Sequence, residues 1–308
     1  MAITITTAGS ALLVGESRWL LAPIPKIAST LLKRLAVIAS GREPYAGAAI
    51  GETKPALAIH QPRIHGLPSL AQLSAVDQEQ WRHDAHALRL AVTRHPGERL
   101  LSFWHDKLHL ADPAYAPLNA SVQGARRKEA SEPCRFADFL SYLGDHWEQL
   151  QGDGHLTPQH HFLADAELFN LRLDRDQLVK ELPRRLESLL PTERLQRLNQ
   201  ELSHYDRSCR QRLGKRWEES YGKDGLALLE RLYGQDLDTY GYSLPKRRSD
   251  KVKPLAAVDH DALVDPLQQL RERHQQIAGL EQQIVQLRSE EHTSELQSQF
   301  RISYAVFC

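Results

Sequence analysis

Two stretches of the 308-residue chain carry side chains of the type and spacing that hold anions. The first runs from Ala22 to Arg34 and reads APIPKIASTLLKR. An apolar run precedes it and a helical pattern follows. A strand, a loop with one lysine and a helix opening on Ser29 and Thr30 together make a phosphate cradle. Amides and hydroxyls grip oxygens there, while Lys26 neutralises charge. The spacing GxxxxGK[ST] is absent, which disfavours an ordinary ATP or GTP hydrolase. Taken alone, the stretch equally fits a plain strand-to-helix turn with a surface lysine. The second stretch, Leu90 to Lys107, reads LAVTRHPGERLLSFWHDK. It places Arg94 at a strand end and Ser102 on the helix beyond. A guanidinium grips phosphate through paired hydrogen bonds, and a helix hydroxyl completes the grip. Two anion sites on neighbouring sheet edges suit a ligand with two separated phosphate groups.

The elements that position these residues follow from hydrophobic patterning. Short apolar runs predict strands at Trp19 to Ala22, Ala56 to His60, Leu88 to Thr93 and Leu168 to Leu173. Apolar residues recurring every three or four positions predict helices at Thr30 to Ala39, Asp77 to Ala87 and Glu98 to Leu110. Further helices are predicted at Arg135 to Leu150, Asp176 to Leu190, Thr192 to His204 and Gly225 to Tyr233. The alternation predicts an α/β, P-loop-like three-layer fold with a mainly parallel central sheet and a largely helical second half.

The two stretches, PKIASTLLKR and VTRHPGERLLSFWHDK, resemble the paired phosphosulfate-binding motifs of carbohydrate sulfotransferases related to the chondroitin and HNK-1 enzymes and their bacterial relatives. The resemblance implies that 3'-phosphoadenosine 5'-phosphosulfate is the co-substrate and that no metal takes part. It implies Lys26, Ser29 and Thr30 at the 5'-phosphosulfate, and Arg94 and Ser102 at the 3'-phosphate. Arg99 and Lys107 also match family positions, Arg99 alternatively fixing the helix through a salt bridge. Phe136 to Leu143, followed by His155-Leu-Thr-Pro-Gln-His, is similar to the family's helix and acceptor segment, which implies His155 and Gln159 at the acceptor. Leu168 to Asp176 resembles its next strand and acidic turn, with Asp where the family carries Glu. Leu232 to Asp236 and Tyr240 to Tyr242 resemble its closing tyrosine segment. The likeness extends from Arg18 to Tyr242.

Sulfuryl transfer requires a base for the acceptor hydroxyl and a cation for the leaving phosphate. Lys26 fits the second role. For the first, His60 and His65 lie in a region where related enzymes place a histidine or an acidic residue. An imidazole titrates at about 6.5, close to cellular pH. His60 at a strand end is the first candidate and His65 the second.

Composition bounds the rest. The 39 basic and 39 acidic residues cancel, so no net field favours nucleic acid or an anionic membrane. Cys134, Cys209 and Cys308 have no metal spacing and suit a reducing, cytoplasmic compartment. His155, His160 and His161 cluster, and His83 and His86 are three apart, without the spacing of a zinc site. Met1 to Leu21 is interrupted by Gly15, Glu16 and Arg18, which makes a poor signal peptide or span.

The sulfotransferase domain is expected over 1–250. Beyond it, a basic linker and a coiled-coil-like helix are expected over 251–287. Its apolar positions Leu267, Leu270, Ile277, Leu280, Ile284 and Leu287 suit either a solvated amphipathic helix or a homo-oligomeric seam across 263–287. Residues 288–308 resemble the in-frame translation of a sequencing adapter, so the natural chain is expected to continue past Leu287. Two other functions fit parts of the pattern: a P-loop kinase acting on a small molecule, and a non-catalytic coiled-coil adaptor retaining a nucleotide-binding domain.

Overall fold

The structure, a computed structural model, describes residues 11–44, 59–124, 134–209 and 217–245. The expected linker, the coiled-coil-like seam and residues 288–308 lie outside them. Four strands, β1 (Leu12–Val14), β2 (Trp19–Ala22), β3 (Leu88–Thr93) and β4 (Leu171–Asp174), form one sheet in the order β1-β2-β3-β4. β1 runs antiparallel to β2, and the β2–β3 and β3–β4 pairs are parallel. The expected α/β class with a mainly parallel sheet is what the chain adopts. β2 is buried along its whole length and β3 nearly so, as expected of parallel strands covered on both faces.

The helices are α1 (Ser29–Ala39), α2 (Pro62–His65), α3 (Ala75–His83), α4 (Pro96–Trp104), α5 (Ala116–Gln123), α6 (Phe136–Asp145), α7 (Trp147–Leu150), α8 (Gln159–Phe162), α9 (Leu178–Leu186), α10 (Thr192–Cys209) and α11 (Lys223–Tyr240). α1 packs its Leu31, Leu32 and Leu35 into the core shared with Leu198 and Leu202 of α10. Arg34 of α1 and Glu201 of α10 close the edge of that contact with two hydrogen bonds. α4 packs on α6 and α11 through a second apolar cluster, with the Phe103 and Phe139 rings 5.6 Å apart.

Two of the expected strands need correction. The one expected at Leu168 to Leu173 starts three residues later, because Asn170 uses its side chain in place of a ladder. Its Oδ1 accepts from the Arg89 N–H at 2.8 Å and its Nδ2 donates to the Ala87 carbonyl. Ile59 and His60, expected at a strand end, stand in a turn; 56–58 lie outside the described residues.

The chain divides into two compact units, one of Met1–Trp104 with Phe136–Ala257, the other of His105–Arg135 with Val258–Cys308. The second contains a π-helical turn, His105–His109, and α5. Inside it Lys107 donates to Asp112 at 2.8 Å. Among the described residues no helix is long and apolar enough to cross a membrane.

Candidate active site

Parallel strands deliver their carboxyl ends to one edge, and three strand-to-helix turns meet there. The first, after β2, holds Lys26 at φ 65° and Ala28 at φ 54°. Non-glycine residues in this left-handed region carry strain of roughly 1–3 kcal/mol each and persist only where the surroundings hold them. No side chain caps the N-terminus of α1. The first N–H groups of a helix lack intrahelical partners, and together with the dipole they favour an anion. Ser29 and Thr30 stand half-buried at this opening.

What holds the strained loop is the second turn. Arg99 is 2% exposed, and its guanidinium donates to three main-chain carbonyls: Pro25 at 3.0 Å, Thr157 at 2.8 Å and Gly154 at 3.0 Å. Arg94 donates from Nη1 to the Lys26 carbonyl at 3.1 Å and from Nε to Glu98 at 3.1 Å. Glu98 is paired in turn with Arg175, just beyond β4, at 3.0 Å. The salt bridge considered for Arg99 is therefore replaced by carbonyl contacts, whereas Arg94 does carry one. Ser102 lies half-buried on α4.

Gln159 is fully buried, which corrects its expected place at an acceptor. Its Oε1 accepts from the Arg94 N–H at 2.9 Å, and its Nε2 donates to the Arg94 carbonyl at 2.8 Å. With both ends of its amide bonded to the Arg94 backbone, Gln159 braces the Arg94 turn from inside the protein. Asp236, also fully buried, accepts from the N–H groups of Gln159 and His160 and pairs with the His160 ring at 2.7 Å. His155 is half-buried beside Asp153, in the turn whose Gly154 and Thr157 carbonyls meet Arg99. One guanidinium thus ties the His155 turn to the Lys26 loop.

His60 Nε2 lies 2.9 Å from Thr30 Oγ1, and its Nδ1 lies 3.2 Å from Lys33 Nζ. His60 therefore stands directly against the opening of α1. His65 does not fit a base in this state. It is 3% exposed, and its Nδ1 accepts from the Leu67 N–H at 3.0 Å. A neutral ring with Nδ1 so engaged carries its hydrogen on Nε2 and has no lone pair left there. Burial first, then the charges of Lys33 and Arg42, push its pKa down to about 4.

The sulfotransferase family model matches residues 12–243, about three-quarters of the chain. The chain belongs to this family. No curated protein and no solved structure gives a significant match. Within the matched sulfotransferase region, of the residues expected from the sequence, Lys26 lies in the loop before α1, Ser29 and Thr30 in its first turn, and His60 against Thr30. The sequence reading gave no place to Lys33, which on a helix shares a face with 29 and 30 and here meets His60. Burial lowers the Lys33 pKa to about 8. It also gave no role to Asp236, since a carboxylate that caps a short helix far away in sequence leaves no local pattern.

Proposed function

We propose that this sulfotransferase moves the sulfuryl group of 3'-phosphoadenosine 5'-phosphosulfate to a hydroxyl of a carbohydrate or glycoconjugate, with 1–250 as its catalytic domain. The observation that carries the reading is the uncapped α1 with Lys26 and Ala28 held left-handed above it. Such a turn suits an anionic group better than a structural loop, which would relax its strain or cap its helix. Lys26, Ser29 and Thr30 would take the 5'-phosphosulfate, and Arg94 with Ser102 the 3'-phosphate. As the acceptor oxygen bonds to sulfur, the bond from sulfur to the 5'-phosphate oxygen breaks and leaves its electron pair on that phosphate. Lys26 faces the charge that develops, and His60 takes the hydroxyl proton. His155 is the candidate for the acceptor side. The carbohydrate acceptor rests on the likeness of the two motifs to the chondroitin-type enzymes. The low cysteine content supports a cytoplasmic location.

Calorimetric titration with adenosine 3',5'-bisphosphate and with AMP tests the nucleotide assignment. Micromolar binding of the bisphosphate and at least tenfold weaker binding of AMP are expected. Equal affinity for the two sinks it.

A further inference from the structure

We propose that Lys33 is a positioning residue for sulfuryl transfer, acting through His60 by deciding which ring nitrogen carries the hydrogen. The inference rests on the reading of His60 as the base. The His60 ring bridges two groups of α1, with Lys33 Nζ 3.2 Å from Nδ1 and Thr30 Oγ1 2.9 Å from Nε2. A neutral imidazole has one N–H and one lone pair. An ammonium has only hydrogens to donate, so a charged Lys33 makes Nδ1 the acceptor and leaves the hydrogen on Nε2, facing Thr30. In that form the ring has no basic nitrogen toward the nucleotide loop. A neutral Lys33 amine has a lone pair and can accept, which lets Nδ1–H donate to Nζ and leaves the lone pair of the ring on Nε2.

The proton balance then closes. The acceptor hydroxyl gives its proton to Nε2 as its oxygen bonds to sulfur and the sulfur–oxygen bond to the phosphate breaks. The Nδ1 proton passes to Nζ. The ring ends neutral with hydrogen on Nε2, Lys33 ends as an ammonium, and that proton is released to solvent before the next turnover.

The surroundings make the amine form accessible. Burial brings the Lys33 pKa down to about 8. Among the described residues His60 and His65 are titratable groups that meet its charge, with the Arg42 charge acting beside it on His65. On the α10 side Glu201 is held by Arg34. Arg63 completes the charged groups on α2 and is exposed.

Side-chain nitrogen NMR of the full chain with labelled histidine tests this without an acceptor, the His60 signal being assigned by its loss in His60→Gln. In the wild type the Nδ1–H form is expected to grow as pH rises from 7 to 9, with a midpoint near 8. Lys33→Arg, a permanent cation, keeps hydrogen on Nε2 throughout; Lys33→Met shows no step. A wild-type ring that holds one tautomer from pH 7 to 9, or a step in Lys33→Arg like that of the wild type, overturns the proposal. The wild-type titration decides alone if a variant fails to fold. Because this readout contains no nucleotide, a negative result is distinguishable from failure of the bisphosphate titration, which would overturn the nucleotide assignment instead.

Discussion

The turns after β2 and β3 are built from the same parts, a parallel strand, a short loop and a helix, yet they are finished in opposite ways. The α4 end is closed. His95 Nδ1 accepts from the Gly97 N–H at 3.0 Å, and the Tyr221 hydroxyl donates to the Gly97 carbonyl at 2.7 Å. Trp217 lies so near that a Cβ on Gly97 would sit 2.3 Å from its ring, so only glycine fits there. The α1 end has no side-chain cap and two left-handed residues. The arginines of the closed turn grip the carbonyls of the open one. One turn is closed by side chains, and the other, which the proposed function gives to the ligand, has no side-chain cap.

The largest effect expected from this contrast is at Lys26. Lys26→Ala should lower turnover at least a hundredfold, since one preorganised stabiliser of developing charge is worth about 2.7–4 kcal/mol. Fold stability should not follow. Lys26→Gly should be equally slow but melt roughly 2–4 °C above Lys26→Ala, because glycine at φ 65° relieves about 1 kcal/mol of strain. Turnover kinetics at saturating donor, with melting curves on both variants, check this. A variant with wild-type turnover would show that the open turn is not the reacting end.

Arg94 belongs to both turns, and its variant sharpens the division between them. Under the nucleotide assignment, Arg94→Ala should weaken adenosine 3',5'-bisphosphate at least tenfold more than AMP, which loses only the support that Arg94 gives the Lys26 loop, a charge-assisted hydrogen bond being worth roughly 1.5–3 kcal/mol. As pure scaffold, held by Glu98 and the Lys26 carbonyl, its loss would weaken both nucleotides together and lower the melting temperature. Parallel titrations separate the two.

How much of this was legible in the sequence follows from the kind of contact involved. β2 and β3 were legible because buried parallel strands read as unbroken apolar runs. The Lys26 loop was legible because strand, lysine, hydroxyls and helix are contiguous. α11 was read as ending at Tyr233, where Gly234 follows. The chain does kink there, with Tyr233 at φ −127°, but the helix resumes to Tyr240. The buried bonds of Asp236 to α8 hold the far half. The bonds that Arg99 and Gln159 make were not legible for one reason: both bind main-chain carbonyls or amides, and a backbone group has no residue identity to read. Lys33 was overlooked because its partner His60 lies in a turn distant in sequence.

The smallest effect concerns His65, and it decides on which side of the division the α2 turn falls. His65 accepts from Leu67 N–H through Nδ1, an arrangement that an asparagine Oδ1 can reproduce. At neutral pH, His65→Asn should therefore cost no more than about 1.5 kcal/mol, the worth of a typical hydrogen bond. The pH dependence is the sharper readout. In the unfolded chain His65 binds a proton near 6.5, while the folded chain resists it down to about 4 because the ring is buried beside Lys33 and Arg42. Between these values the unfolded state holds more protons, so this group's stabilising contribution is complete above pH 6.5 and is lost as pH falls toward 4. The asparagine variant lacks that slope, and its melting temperature should draw level with the wild type, or pass it, near pH 4.5. If the two melting curves instead stay parallel while His65→Asn loses turnover at pH 7.5, the ring titrates normally and acts in the reaction. The open turn would then extend through α2, and His65 would replace His60 as the base.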